Sequence, residues 1–341
     1  MYKPDYVFTD LPSLGKTLRV ADGIYWVRMP LPFKLDHINL WLLQDRDGWT
    51  IVDTGINTAQ VKFAWESIFE NYYICDSSVK KIIVTHFHPD HIGLAGWLTQ
   101  RFGVPLHATI TEWAFAHIQS SASLENSKDN YLSFYRAAGL DRDYDEILIN
   151  RIGSYASKVS PIPQSVHRIA EGDEIDINGR IWRVIIGEGH APEHACLYCE
   201  EQNVLISGDQ ILPRISPNIS VGPLEPNSNP LKQFISSLDN FRAIPEETLI
   251  LPSHDFPFRG LSGRLEQLLK HHQERLDETL VICTNPVSAI EIQRGLFKRK
   301  LDNHQIFFAI GEALAHAHYL LEVKKVSRKK DKQGVNRFCA L

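Results

Sequence analysis

The sequence has 341 residues, of which 43% are hydrophobic and 23% are charged. These values are ordinary for a globular protein and exclude a disordered or fibrous chain. Its five cysteines are odd in number and too few for a disulfide framework. Because the first residues lack the features of a signal peptide and no apolar run approaches about 18 residues, we expect a cytoplasmic protein without membrane contact.

The first half of the chain predicts alternating strands and helices. Short runs rich in Val, Ile and Trp are typical of strands, and longer runs with a helical period predict helices. In chain order these are strands at 19–29, 38–43 and 49–52, a helix at 59–72, a strand at 80–84 and a helix at 91–101. Residues 110–165 interrupt this order with aromatic-rich helical patterns. We expect a helical insertion there.

The second half returns to strands and then becomes helical. The predicted elements are strands at 166–169, 180–186, 195–199 and 204–207, a helix at 230–242 and a strand at 248–251. This alternation predicts an α/β layered domain, and the missing GxGxxG motif argues against a doubly wound nucleotide-binding fold. Three further helical patterns follow at 261–281, 286–296 and 302–323, and a basic hairpin follows at 326–338. Together these elements predict a winged-helix module. We therefore expect domains at 1–258 and 259–341.

Charge is unevenly distributed along the chain. The whole sequence carries a net charge of −5, whereas residues 294–341 alone carry +7. A basic C-terminal segment behind an acidic body supports the division into two modules. The basic segment is either an anion-binding surface or a solvated one.

Metal-ligand residues are concentrated after the predicted strand at 80–84. Residues 85–91 are Thr-His-Phe-His-Pro-Asp-His, which places four imidazole or carboxylate groups in one turn. Borderline divalent ions such as zinc bind these groups. Three more candidates, His190, Asp209 and His254, each follow a predicted strand. We expect all of these side chains at one edge of a sheet, where they predict a metal site.

These ligand segments resemble the metallo-β-lactamase superfamily over roughly residues 15–257. The resemblance implies an αβ/βα sandwich with two divalent metal ions at one edge, zinc being expected and manganese or iron the alternatives. It implies a first metal on His86, His88 and His190, a second on Asp90, His91 and His254, and Asp209 as the bridge. Asp53 matches a carboxylate that orients the ligands, although a plain turn former is its alternative role.

The chemistry implied by this resemblance is hydrolysis by water. Two metal ions that share a hydroxide supply a nucleophile at neutral pH, and Asp90 would orient the hydroxide or carry its proton. The sequence contains no GxSxG motif, which is the pattern that would indicate a serine nucleophile. The C-terminal segment resembles that of a β-lactamase-like branch with a winged helix, in which some members cleave RNA and others look like esterases or thioesterases.

The expected substrate is an ester or thioester with an apolar acyl group. An acidic catalytic portion disfavours a long polyanion, and the insertion supplies aromatic side chains for an apolar pocket. The alternatives are a nuclease that holds RNA on the basic winged helix, a lactonase or β-lactamase, and a nucleic-acid-binding protein with a sensor domain. The expected partner is a small-molecule substrate, with nucleic acid as the second choice and a homodimer contact as another role for the tail.

Five residues are weaker candidates for the substrate pocket. They are Trp113, Tyr131, Phe134, Tyr135 and Glu193. Glu193 stands where many members of the family have glycine, and either contacts substrate or faces solvent. The C-terminal module contains none of the seven ligands, so we expect it to act as scaffolding and a chain cut near residue 260 to retain its metals.

Three other sets of residues are not expected to bind metal. His194 is predicted to lie beside the site without binding metal. Cys196 and Cys199 are predicted core residues, because residues three apart on a strand face opposite sides of the sheet. The adjacent pair His271 and His272 cannot share a ligand face on one helix.

Overall fold

Two seven-stranded β-sheets form the centre of the computed structural model, which describes residues 2–303 and 305–341. The strands are β1 (Asp5–Tyr6), β2 (Thr17–Ala21), β3 (Ile24–Pro30), β4 (His37–Asp45), β5 (Gly48–Val52), β6 (Val79–Ile83), β7 (Leu106–Ala108), β8 (Val166–Arg168), β9 (Glu174–Ile177), β10 (Arg180–Gly187), β11 (His194–Cys199), β12 (Val204–Gly208), β13 (Leu249–Pro252), β14 (Phe258–Arg259), β15 (Val326–Lys330) and β16 (Asn336–Ala340). The first sheet has the order β2-β3-β4-β5-β6-β7-β8, and the second has the order β1-β14-β13-β12-β11-β10-β9. β15 and β16 form a separate hairpin.

Helices cover the outer faces of both sheets. They are α1 (Ala59–Asn71), α2 (Pro89–Ile92), α3 (Ala95–Phe102), α4 (Ile110–Ser121), α5 (Leu124–Ala137), α6 (Asp145–Arg151), α7 (Pro230–Ser237), α8 (Leu261–Ile282), α9 (Ala289–Leu296) and α10 (Gln305–Glu322). Short 3-10 turns occur at Arg142–Tyr144, Ala156–Lys158 and Leu238–Phe241. Within the described residues, none of the helices has both the length and the apolar character needed to cross a lipid bilayer.

Three apolar cores give the fold its layers. One core lies between the sheets, where the rings of Trp26 and Trp41 stack with centroids 6.3 Å apart. The other two cores lie between each sheet and its own helices. Cys196 on β11 belongs to an outer core and Cys199 to the core between the sheets, as strand alternation requires. The predicted αβ/βα sandwich is confirmed.

Strand direction explains how the ligand segments meet. In the first sheet β5 and β6 are parallel. In the second sheet β12 and β13 are parallel, and β10 runs in the same direction because β11 is antiparallel to both β10 and β12. The carboxyl ends of β10, β12 and β13 therefore lie at one edge of the second sheet. The segments that follow them carry His190, Asp209 and His254.

The helix expected at 91–101 is interrupted in the structure. α2 ends at Ile92 and α3 begins at Ala95. Between them the backbone N–H of Leu94 donates to the carbonyl of Gly55 at 3.0 Å and to the hydroxyl of Thr54 at 3.1 Å. These contacts tie the ligand turn to the end of β5, so tertiary packing overrides the helical pattern at this point.

The C-terminal segment contains the three helices and the hairpin that its sequence predicts. The winged-helix assignment itself remains a prediction. Residues of α8 and α10 share one apolar core with the second sheet, as shown by Leu265 and Ile310 packing in the cluster that holds Ile250 and Phe258. The hydrophobic core therefore continues across the predicted domain boundary at 258.

Candidate metal centre

All seven predicted metal ligands converge at one end of the sandwich. Their ligand atoms form two groups, each with all atoms within 4.8 Å of one another. The first group contains His86, His88, His190 and Asp209, and the second contains Asp90, His91 and His254. The structure thus brings together residues that are up to 168 positions apart in the sequence.

The first group has the spacing of ligands around one small ion. His86 Nε2 lies 2.8 Å from His88 Nδ1 and 3.3 Å from His190 Nε2. His190 Nε2 is in turn 3.3 Å from Asp209 Oδ2. A tetrahedral ion with bonds of about 2.0–2.2 Å separates its ligand atoms by about 3.3–3.6 Å. Two of these three distances match that separation. The 2.8 Å distance between His86 Nε2 and His88 Nδ1 would match it after a small outward movement of the two rings.

Asp209 faces both groups. Its Oδ2 points to the first group, whereas its Oδ1 lies 3.4 Å from His254 Nε2 and 3.6 Å from His91 Nε2 in the second. Asp90 Oδ2 completes the second group at 3.7 Å from His254 Nε2 and 3.8 Å from His91 Nε2. Among the seven ligands described, Asp209 is therefore placed to contact cations in both positions.

The space between His91 and Asp209 fits a cation because polar atoms of both residues are otherwise unsatisfied. His91 Nε2 and Asp209 Oδ1 are both buried and have no hydrogen-bond partner among the described residues. Native proteins rarely leave buried polar atoms in this state, since each costs the desolvation of an unpaired group. A divalent ion between these atoms would remove the cost, and imidazole with carboxylate is a suitable donor set.

Burial also keeps the first histidines in the form that binds metal. Desolvation and the neighbouring imidazoles lower the pKa of His86 well below its ordinary value, and the same causes lower the pKa of His88. Both rings are therefore neutral at pH 7. A neutral imidazole has the free lone pair that metal coordination requires.

Asp53 orients the second group from the turn after β5. Its carboxylate accepts the Thr85 backbone N–H at 2.8 Å and contacts His91 Nδ1 at 2.8 Å. Because Nδ1 donates to Asp53, Nε2 of His91 is left facing the site. Asp53 is buried and adopts a left-handed backbone conformation with φ of 61°. The local strain and the completely internal hydrogen bonds favour the orienting role over that of a simple turn former.

Backbone carbonyls orient two other ligands. His190 Nδ1 donates to the carbonyl of Asn218 at 2.9 Å. His254 Nδ1 donates to the carbonyl of His37 at 2.8 Å. In each ring the opposite nitrogen, Nε2, points to the site. Such hydrogen bonds fix the imidazole tautomer and the ring orientation.

His194 supports the site without joining it. Its Nε2 accepts the backbone N–H of Asp209 at 3.0 Å. This hydrogen bond occupies the ring nitrogen that lies nearest the ligands. Gly208 allows this contact, because a Cβ there would lie 2.4 Å from the His194 ring. Gly208 also has a positive φ of 53°. The close approach of glycine and histidine thus sets the position of Asp209.

Glu112 on α4 is a supporting residue that the sequence analysis missed. Its buried carboxylate accepts the backbone N–H of Phe87 at 2.9 Å and that of Glu193 at 2.6 Å. Phe87 belongs to the 86–91 turn and Glu193 to the 188–193 loop, and both segments carry candidate ligands. Burial raises the pKa of Glu112 to about 7. The only available signal was a lone carboxylate among apolar residues of a helix, a pattern that also fits a solvent-facing side chain.

A cavity of about 1170 Å³ opens onto the ligands. It is larger than the range of roughly 300–1,000 Å³ that is usual for small-molecule sites. Its wall contains the metal ligands His88, Asp90, His190, Asp209 and His254, together with aromatic side chains that include Phe87, Tyr131, Tyr135, Tyr155 and Phe308. Several of these come from the insertion, so the insertion forms part of the wall beside the metal centre.

Three of the expected pocket residues lie elsewhere. Trp113 donates its indole N–H to the Pro163 carbonyl at 2.8 Å and packs with the first-sheet helices. Phe134 is buried in the core beneath the second sheet. The carboxylate of Glu193 accepts the backbone N–H of Thr111 at 3.2 Å at the start of α4. None of the three is among the cavity-lining residues of the described chain.

Comparison with known families agrees with this geometry. A family model described as the metallo-beta-lactamase superfamily matches residues 34–254, which is more than half of the chain. The chain belongs to the metallo-beta-lactamase superfamily. A second model, described as the metallo-beta-lactamase-like C-terminal domain, matches residues 276–341. Superfamily membership identifies this protein as a metallo-hydrolase, and its His/Asp cluster is compatible with a divalent metal site.

Relatives share both the sandwich and the C-terminal region. The crystal structure of a beta-lactamase domain protein from Burkholderia ambifaria is 42% identical, has a TM-score of 0.90, and covers 99% of this chain and 98% of its own. A probable metallo-hydrolase of Bacillus subtilis, YqjP, is 24% identical over 88% of this chain and 92% of its own length. A hydroxyacylglutathione hydrolase from a Marinomonas species is 21% identical over 74% of each chain. The match to the Burkholderia ambifaria structure therefore includes the C-terminal helices, and the match to the Bacillus subtilis relative reaches into them.

Proposed function

We propose that this protein is a dinuclear metal-dependent hydrolase of an ester or thioester with an apolar acyl group. The observation that carries the proposal is the position of Asp209, whose two carboxylate oxygens face different ligand groups. Divalent ions, with zinc expected and manganese or iron as alternatives, would activate water and polarise a carbonyl oxygen. His86, His88 and His190 would hold one ion, Asp90, His91 and His254 the other, and Asp209 would contact both.

Asp90 is the residue suited to proton transfer. It lies at the start of α2, and its side chain is partly exposed to the cavity whereas His91 is fully buried. A carboxylate in this position accepts a proton from the attacking water and returns it to the leaving group. Asp53 remains behind the ligands, where its hydrogen bond to His91 keeps the ring oriented.

The cavity wall supports an apolar acyl group. Tyr131 and Tyr135 line the cavity from α5, and Phe87 lines it from the ligand turn. Tyr155 donates its hydroxyl to the Phe87 carbonyl, which fixes the aromatic side of the turn. Aromatic faces of this kind bind acyl chains through burial of apolar area. One relative, named as a hydroxyacylglutathione hydrolase, acts on an acylated thiol according to its name.

The proposal is tested by a substrate screen with full-length, metal-loaded protein. The substrates are acetyl, butyryl and octanoyl thioesters, aryl esters, a lactone, nitrocefin and a labelled RNA. We expect thioester or ester hydrolysis that disappears when a chelator removes the metal and returns when zinc or manganese is added. Cleavage of RNA without turnover of any ester would instead support the nuclease alternative, and retention on heparin that weakens steeply with salt would accompany it.

A further inference from the structure

One short loop, residues 218–221, connects helix α10 to the first ligand group. On one side of the loop, the carbonyl of Asn218 accepts the Nδ1–H of His190 at 2.9 Å. On the other side, the backbone N–H of Val221 donates to the carbonyl of Gly311 on α10 at 3.1 Å. The loop therefore contacts a candidate metal ligand at one end and the C-terminal module at the other.

Ser220 joins the two ends of this loop. Its hydroxyl donates to Asn218 Oδ1 at 2.9 Å and lies 3.3 Å from the carbonyl of Phe308 on α10. The neighbouring side chains of Ile219 and Val221 are buried in the same apolar core as the inner face of α10. Because the loop is bonded and packed against the helix in this way, a shift of one moves the other.

Gly311 allows the loop to approach α10 closely. A Cβ at this position would lie 2.8 Å from Ser220 Cβ and 2.9 Å from the carbonyl oxygen of Val221. Contacts this short force a displacement, and the carbonyl belongs to the backbone, so rotation of a side chain cannot relieve them both. Glycine is less favourable than alanine in the interior of a helix, and Gly311 is buried inside α10. The close approach of the loop explains why this position has no side chain.

We propose that Gly311 is a positioning residue for the ligand His190. By admitting the loop at this distance, α10 sets the place where the Asn218 carbonyl holds the imidazole. The hydrogen bond to Nδ1 fixes the tautomer and the orientation of the ring, so displacement of the carbonyl turns Nε2 away from the first ligand group. This inference rests on the proposed function in that the first group must bind a metal ion, and it gives the C-terminal module a part in that binding.

Gly311→Ala tests the positioning role in two backgrounds of the full-length chain. His254→Ala removes a ligand of the second group, and His190→Ala removes the ring through which Gly311 acts. In the His254→Ala background, Gly311→Ala should weaken zinc binding about ten- to hundredfold, the usual loss when the support of a metal ligand is disturbed. In the His190→Ala background the same substitution should leave zinc affinity unchanged, because residues that act through one another are not additive. Competition with a chromogenic chelator measures the affinity.

Gly263→Ala is the matched control. Gly263 is also a helical glycine of the C-terminal module, but the atoms nearest to its added Cβ all belong to the ring of Tyr2. Zinc affinity should not change in this variant. Ser220→Gly removes one of the two close contacts, so its addition to Gly311→Ala should recover part of the lost affinity. Thermal unfolding of each variant establishes that it is folded.

The outcomes separate this inference from the proposed function. Unchanged zinc affinity in Gly311→Ala, or an equal loss in the two backgrounds, would overturn the positioning role alone. If Gly311→Ala does not fold, Ser220→Ala breaks the same link without added volume. It should then weaken zinc binding only where His190 is present, and unchanged affinity would overturn the role.

A second measurement decides the inference without metal. If the parent protein binds no metal ion, the proposed function fails, and magnetic resonance of the metal-free protein with isotope-labelled histidine is used. The Nδ1 proton of His190, identified by its absence in His190→Ala, should exchange with solvent faster in Gly311→Ala than in Gly263→Ala. Equal exchange in the two variants would overturn the positioning role.

Discussion

The carboxylate of Glu112 accepts the backbone N–H of Phe87 at 2.9 Å, directly between the ligands His86 and His88. Its other oxygen accepts the N–H of Glu193 at 2.6 Å, in the loop that carries His190. One side chain of the insertion therefore connects the two loops that build the first ligand group. A carboxylate that supports ligands in this way affects metal binding without touching the metal.

Replacement of Glu112 should accordingly weaken metal binding. In Glu112→Gln the amide oxygen can accept only one of the two N–H groups, and the amide NH₂ faces the other as a second donor. We expect a loss of about ten- to hundredfold in metal affinity, measured by competition with a chromogenic chelator. Glu112→Asp should recover part of the lost metal affinity if its shorter carboxylate still accepts one of the two backbone N–H groups. Glu125→Gln, exposed on α5, is the control, and unchanged affinity in Glu112→Gln would contradict the positioning role.

The clustering of the candidate metal ligands could be anticipated from sequence because each of them follows a strand. Local patterns identify strand ends, and sheet topology brings those ends together, as for Asp209 after β12 and His254 after β13. Glu112 could not be predicted in this way, because its partners are backbone groups about 25 and 81 residues away. Its burial is a property of the docked insertion and not of the helical pattern.

The pocket was less predictable than the metal site for the same reason. Aromatic content alone selected Trp113 and Phe134 together with Tyr131 and Tyr135, yet only the two tyrosines line the cavity. Which face of an inserted helix meets the site depends on tertiary packing.

Asp209 provides the sharpest test of the two-metal arrangement. In Asp209→Ala we expect metal content to fall from two ions per chain to one or none and hydrolysis to be lost, since no other described carboxylate contacts both groups. Elemental analysis after desalting measures the metal. Asp76→Ala, on an exposed turn, serves as the control. Two bound ions with full activity in Asp209→Ala would rule out the bridging role.

Tyr131 should control the preference for acyl length. Tyr131→Ala removes aromatic area from the cavity wall, so the ratio of kcat/KM for octanoyl over acetyl thioester should fall about three- to tenfold, the effect of losing roughly one to two buried methylenes. Tyr144→Ala removes the same side chain from a half-buried position of the insertion outside the cavity. An equal change in both variants would show that the effect is one of folding and not of substrate contact.

Two buried histidines should make the C-terminal helices sensitive to acid. Burial lowers the pKa of His272 to about 2 and that of His316 to about 4. Below pH 6.5 the unfolded chain takes up protons on these rings, while the folded chain does not until the pH nears their lowered values. Stability is therefore lost as the pH falls from about 6.5 towards 4.

Replacement of one ring should reduce this acid sensitivity. Between pH 7.5 and 5.0, the decrease in the free energy of unfolding should be smaller in His316→Gln than in the parent by roughly 2 kcal/mol. Urea unfolding at the two pH values measures it. Lys270→Gln, at an exposed position of α8, should show the parent's decrease. An identical pH dependence in His316→Gln and the parent would mean that His316 does not stay neutral in the folded protein.

The C-terminal helices should be required for folding, contrary to the scaffolding role expected from sequence. Arg264 of α8 donates to the carbonyl of Leu212 at 2.6 Å and to that of Ile215 at 2.7 Å, within the loop that follows Asp209. A chain that ends at Gly260 would lose these donors and expose the core around Ile250. The buried carbonyl of Leu212, left without a partner, would cost about 1–3 kcal/mol, and the lost apolar burial adds to that.

We therefore expect the chain that ends at Gly260 to be insoluble or unfolded, as measured by circular dichroism and metal content. Arg264→Met separates the two causes, because it removes only the donors and keeps the apolar stem of the side chain. It should lower the thermal midpoint and weaken metal binding while the chain remains folded. Arg242→Met, at an exposed position before β13, is the matched control. The opposite result would be a fragment ending at Gly260 that is folded and metal-loaded and hydrolyses small esters at the full-length rate. That result would restore the scaffolding role, since the shared core would then be dispensable.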